Sequence, residues 1–121
     1  MLLKSRNSIL AAVSLFGALA LPLSAANADG AAYVLTISQH RFTPAVLTVP
    51  AGQRIRLEIV NRDPATEEFD SHDLRVEKLI TPGGRATVFI GPLAPGTYAF
   101  MGEFHPATAQ GRIVAVAAAG R

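Results

Sequence analysis

The sequence predicts an all-β fold, an antiparallel β-sandwich of about seven short strands with Greek-key connections. Three observations point there. Apolar and polar residues alternate with period two, and no stretch after Asp29 carries a 3.6-residue pattern. Pro and Gly turns recur between the alternating stretches, as in Pro50-Ala51-Gly52, Thr81-Pro82-Gly83-Gly84 and Gly91-Pro92-Leu93-Ala94-Pro95-Gly96.

Each element has its own justification. Tyr33 to Ser38 alternates, with Val34, Thr36 and Ser38 on one side and Tyr33, Leu35 and Ile37 on the other. Phe42 and Pro44 interrupt the pattern, and Ala45 to Val49 is a second short extended piece. Arg54 to Val60 is the clearest strand, with Ile55, Leu57 and Ile59 facing the core and Arg54, Arg56 and Glu58 facing water. A polar stretch from Asn61 to Asp73 reads as a loop. Leu74 to Ile80 follows as a strand, with Leu74, Val76 and Leu79 as expected core. Arg85 to Ile90, Thr97 to Met101 and Arg112 to Ala117 complete the set. Tyr98, just after Pro95-Gly96-Thr97, is either a tyrosine corner or an ordinary strand aromatic.

Residues 1–28 read as a secretory signal peptide, leaving one domain over residues 29–121. Lys4 and Arg6 form a positive leader, an apolar run spans Ile9 to Leu21, and Ala26-Asn27-Ala28 offers a small-residue cleavage site. The run is shorter than the ~20 residues a membrane span requires, with a retained anchor as the alternative. This places the protein in the periplasm. Removing the leader also removes two of the eleven basic residues and none of the nine acidic ones, so the formal charge falls from +2 to zero. With no basic surplus left, nucleic acid is not an expected partner. The absence of Cys excludes a disulfide framework, a thiolate metal site and a cysteine nucleophile. Neither a Ser-centred elbow nor a P-loop glycine pattern is present.

Chemistry concentrates in two segments. Asn61 to Asp73 gathers Asp63, Glu67, Glu68, Asp70 and Asp73 with His72. Carboxylates this close repel one another unless water, a cation or arginine offsets them. Phe100 to Gly111 sets Met101, Glu103 and His105 among aromatics. If that stretch is extended, Glu103 and His105 project to the same side. Each segment alone is readable as structural, a solvated acidic loop and a core-capping turn. At one pole of a sandwich, however, they would assemble Glu67, Glu68, Glu103 and His105, with Met101 as a weak thioether contact. Asp70 and His72 stand as supporting or alternative ligands, and His40 reads as a surface residue, with membership of the site as its alternative. An oxygen-rich set with one nitrogen suits iron, manganese, Cu(II) or zinc.

The stretches FTPAVLTVPAGQRIRLEIVNRD, EEFDSHDLRVEKLITPGG and GPLAPGTYAFMGEFHPATAQGRIVAV resemble the cupredoxin-like proteins of bacterial high-affinity iron uptake, including the cupredoxin domain of imelysin-type iron-uptake proteins. The resemblance implies a cupredoxin-like fold, copper and/or iron as cofactor, and two partners: an inner-membrane iron permease and a periplasmic iron-binding protein. Against the blue-copper pattern, Tyr98, Phe100 and His105 fall in place. Gly102 stands where the cysteine would be, the methionine position falls near Gln110, and Glu67 or Glu68 replaces the upstream histidine. A blue-copper electron carrier needs the copper–thiolate bond, so that role is excluded. Two metal-binding readings stay open beside a metal-free structural β-sandwich, which holds only if both segments are coincidence. One is a periplasmic metal-binding component of ferrous-iron uptake that oxidises Fe(II) for delivery to the permease. The other is a non-catalytic copper or iron chaperone or accessory module.

Overall fold

The computed structural model describes residues 32–118. The leader expected over residues 1–28 lies outside the described residues, as does any anchor built from it. Among the described residues nine strands follow one another without a helix: β1 Ala32–Ser38, β2 Arg41–Thr43, β3 Val46–Pro50, β4 Ile55–Asn61, β5 Glu67–Ser71, β6 Val76–Ile80, β7 Arg85–Ile90, β8 Gly96–Met101 and β9 Gln110–Val116. They form a four-stranded sheet in the order β2-β1-β4-β7 and a five-stranded sheet in the order β3-β9-β8-β5-β6. The expected sandwich is present, with nine strands rather than about seven and with two parallel pairs. Crossing between sheets makes β1 parallel to β4 and β3 parallel to β9, while the remaining pairs are antiparallel.

Period-two alternation sends one face of each sheet inward. Leu35 and Ile37 from β1, Ile55, Leu57 and Ile59 from β4, and Val88 and Ile90 from β7 form one wall. Phe69, Ile80, Phe100, Ile113 and Ala115 form the other. At ~1.5–3 kcal/mol for each large apolar side chain fully withdrawn from water, this layer is the main force holding the sheets together. Phe42, Phe69 and Phe100 close one end of it, with Phe42 edge-on to Phe100 at 5.1 Å between centroids and to Phe69 at 6.1 Å. At the far end the Tyr98 hydroxyl donates to the Ala94 carbonyl at 2.7 Å, the bond expected of a tyrosine corner.

Two expectations are corrected. Glu67–Ser71 is a strand, interior to the five-stranded sheet between β8 and β6, rather than part of a loop. Leu79 is 58% exposed, because the register that pairs Glu67 with Ile80 buries Ile80 and turns Leu79 outward.

Candidate metal centre

Three connections meet at the pole capped by the phenylalanines: the β1–β2 turn, the β4–β5 loop and the β8–β9 loop. The first is a two-residue hairpin turn, since Ser38 pairs with Arg41. Its central residues Gln39 and His40 both have positive φ, 52° and 57°. A two-residue turn of this hand normally takes Asn-Gly, because other side chains resist that backbone region. Here an outside clamp holds it. Asp63 is buried, and its carboxylate accepts the Gln39 N–H at 2.6 Å and the His40 N–H at 3.0 Å. Asp63 is itself positioned by Asn61, whose side-chain carbonyl accepts the Asp63 N–H at 2.8 Å. The Asn61 amide donates to the carbonyls of Ala65, Ile80 and Thr81. This chain of bonds, starting at the end of β4, decides where the His40 imidazole stands.

The imidazole stands over Glu67. On β5, Glu67 and Phe69 share the inward face, and Glu67 is fully buried. Nδ1 of His40 lies 2.9 Å from Glu67 Oε1, and Nδ1 of His105 lies 3.5 Å from the same oxygen. The two rings stack at 3.4 Å between centroids with planes 16° apart. Each ring is partly exposed, so the carboxylate forms the floor and the imidazoles the rim. Two polar atoms here are buried without a hydrogen-bond partner, Glu67 Oε2 and His105 Nδ1. One ligand atom from each of His40, Glu67 and His105 lies within 4.8 Å of the others.

The β8–β9 loop supplies His105 by folding back on itself. Gly102 N–H donates to the Ala109 carbonyl, His105 N–H to Gly102, and Ala109 N–H to His105. The stretch is therefore turned, not extended, and Glu103 does not share a side with His105. Glu103 instead joins Glu68 and Glu77, whose ligand atoms also lie within 4.8 Å of one another. Glu68 points to the outer face of its sheet, one residue along from Glu67 and opposite in direction. Burial, hydrogen bonding with Glu77 and the nearby charge of Glu103 push its carboxyl up to about 7.

The five residues expected as ligands are thus divided. Glu67 and His105 come together, and His40, expected at the surface, completes their group. Glu68 and Glu103 form the second group with Glu77. Met101 lies on the outer face opposite Asp70, exposed. Asp70 and His72 line an open hollow of about 520 Å³ on that face, together with Asp73 and Arg75. Glu77 of the second carboxylate group also lines it, but Asp70, His72 and Asp73 join no three-ligand group among the described residues. The sequence carries no local signal for His40. What the residue pattern lacks is any glycine to announce the turn.

The cysteine-equivalent position is also closed sterically. A Cβ on Gly102 would stand 2.8 Å from the Ala109 Cβ and 3.2 Å from the Glu68 carbonyl oxygen. No side chain, thiol included, enters there unless the loop moves.

Known proteins share this fold. Residues 9–115 match the family model described as Cupredoxin-like domain. Uncharacterized protein RP394 of Rickettsia prowazekii (strain Madrid E) is 45% identical over 80 residues, which cover 66% of this chain and 64% of that one. The chain thus matches a little under two thirds of that relative's length. Among solved structures, auracyanin A, a "blue" copper protein of Chloroflexus aurantiacus, is similar with a TM-score of 0.63 and 16% identity, covering 71% of this chain and 98% of that one. Auracyanin of Roseiflexus castenholzii has a TM-score of 0.60 at 17% identity, covering 70% and 96%. An oxidized amicyanin mutant has a TM-score of 0.55 at 16% identity, covering 69% and 80%. At these identities the solved structures speak for the fold alone.

Proposed function

Because the chain belongs to the cupredoxin-like domain family, we propose that it is a periplasmic metal-binding protein that holds copper or iron between His40, Glu67 and His105. One observation carries this reading: a fully buried carboxylate with an unpartnered oxygen faces an imidazole nitrogen that is also buried and unpartnered. Leaving such groups unpaired costs ~1–3 kcal/mol each. A cation between them would offset that cost.

The donor set argues which ions suit it. Two imidazoles and one carboxylate fit Cu(II) and Fe(II), and the order of divalent affinities places Cu(II) above Fe(II). No thiolate is available and Gly102 admits none, so the residues do not fit a blue-copper centre. When bound, such an ion would supply a Lewis-acidic, redox-active centre held by His40, Glu67 and His105. The protein's own contribution is to keep one imidazole fixed through the Asp63 clamp, bury the carboxylate, and leave the imidazole rim reachable from solvent. An accessible rim on a rigid floor suits loading and release of an ion. In this proposal the ion is cargo for ferrous-iron uptake, passed between a periplasmic iron-binding protein and an inner-membrane iron permease. Those two partners follow from the sequence resemblance.

Anaerobic titration of the purified protein with Fe(II), and separately with Cu(II), tests the reading. One ion should bind, protons should be released on binding, and Glu67→Gln and His105→Ala should each weaken it at least tenfold. Glu103→Ala should leave binding unchanged. On aeration, oxygen uptake should not exceed that of the buffer with Fe(II) alone. Faster uptake that disappears in Glu67→Gln would make the protein an Fe(II) oxidase. Equal binding by the wild type and both ligand variants would overturn the assignment.

A further inference from the structure

The charges of this neutral domain are not spread evenly. Residues 32–118 contain eight Arg and Lys and eight Asp and Glu. Four of the eight basic residues, Arg41, Arg54, Arg56 and Arg85, stand on the outer side of the four-stranded sheet. Alternation places them there: Arg54 and Arg56 flank the buried Ile55, Arg41 precedes the buried Phe42, and Arg85 lies an odd number of residues from the buried Val88 and Ile90. Glu58 is the one carboxylate among the described residues on that side, and it is paired with Arg85. The outer side of the other sheet carries Glu68, Asp70 and Glu77 with one arginine, Arg112.

Two exposed apolar side chains lie among the arginines. Val34 is 46% exposed and Phe89 is 45% exposed, and the Arg54 guanidinium sits 4.0 Å above the Phe89 ring. The register sets Ala32, Arg56 and Phe89 in one row across β1, β4 and β7. At ~4.8 Å between strands and ~3.3 Å per residue, the four strands offer a surface about 15 Å by 20 Å. The chain also enters the domain on this side. Ala32 is the register partner of Arg56, so the first described residue lies at the arginine end of the face.

We propose that this face docks on an anionic phospholipid bilayer. Arginine and aromatic side chains suit the boundary between headgroups and hydrocarbon, where the guanidinium reaches phosphate and the apolar stem stays in the less polar layer. Juxtamembrane basic residues contribute ~1 kcal/mol each against an anionic surface, and a few such residues suit reversible rather than permanent attachment. Docked by this face, the sandwich lies on its side. Its metal-binding pole, at the end of β1 and β4, then opens along the membrane rather than into it.

The test is sedimentation of the full chain with vesicles of phosphatidylglycerol and phosphatidylcholine, against vesicles of phosphatidylcholine alone. The wild type should bind the anionic vesicles at least tenfold better, with binding falling at least tenfold between 50 mM and 500 mM NaCl, both of the order set by a few screened charges. Arg54→Glu/Arg56→Glu should bind about 30-fold more weakly, with an unchanged circular dichroism spectrum and unchanged Cu(II) binding. Arg75→Glu/Arg112→Glu, which makes the same charge change elsewhere, should lose less than threefold. Equal losses in the two double variants would overturn the proposal, since net charge rather than this face would then be responsible. Equal, salt-insensitive binding to both vesicle types would overturn it in favour of the N-terminal apolar run. A salt-sensitive self-association without vesicles, abolished by Arg54→Glu/Arg56→Glu, would overturn it in favour of a second copy as the occupant.

Discussion

Replacing Asp63 with alanine separates the support of the site from its ligands. The substitution removes the acceptor of two backbone N–H groups, at 2.6 and 3.0 Å, that hold Gln39 and His40 at positive φ. Hydrogen bonds to a charged acceptor contribute ~1.5–3 kcal/mol each. The turn lies at the surface, where water replaces part of what is lost, so the expected cost is about 3 kcal/mol in total. For a domain of this size that is a fall of roughly 12–24 °C in melting temperature. Asp63→Asn keeps one acceptor oxygen and should lose about half as much. Neither variant removes a ligand atom, yet freeing the turn releases the His40 ring from Glu67. Loss of such a supporting contact typically costs 10–100-fold in metal affinity. Thermal unfolding and competitive Cu(II) titration of wild type, Asp63→Asn and Asp63→Ala provide both readings. Affinity equal to wild type in Asp63→Ala would refute the argument that this clamp positions His40, whatever happens to stability.

Other perturbations have equally definite outcomes. Gln39→Gly, at φ 52°, should raise stability by about 0.5–1 kcal/mol by removing a disfavoured backbone region, measured by urea denaturation. Gly102→Ala should lower it by about 1–3 kcal/mol through overpacking against Ala109, and Gly102→Cys should be no better tolerated. Glu68 titrates near 7 when folded against an ordinary 4.5, chiefly through burial and then through Glu77 and Glu103. Between those values the folded state binds the extra proton, so its stabilising effect is complete below about 4.5 and is lost as pH rises through about 7. Urea midpoints from pH 5 to pH 8 should therefore fall more steeply for wild type than for Glu68→Gln.

The strands that alternate cleanly are legible in the sequence because burial dictates their pattern: Ile55, Leu57 and Ile59 face the core as expected. The strand Glu67–Ser71 is not, because its inward positions include Glu67, which breaks the apolar alternation at the very residue the candidate site uses. Leu79 is misplaced for a related reason. With Leu79 and Ile80 adjacent, only the pairing with β5 decides which one faces inward. The two acidic segments do converge at one pole, but adjacent residues on a strand point to opposite faces. That alternation separates Glu67 from Glu68 and divides the expected ligands into two groups. His40 depends on a turn held by a residue 23 positions away in the chain. No local pattern announces a contact of that range.

The central claim is that His40 and His105 share one ion with Glu67. The most direct measurement is pulsed electron paramagnetic resonance of the protein loaded with one equivalent of Cu(II), counting coordinated imidazole nitrogens. The account predicts two in the wild type, one in His40→Ala and one in His105→Ala, with all three spectra unaffected by Glu103→Ala. A spectrum with one nitrogen or none in the wild type, or one altered by Glu103→Ala but not by His40→Ala, would contradict it.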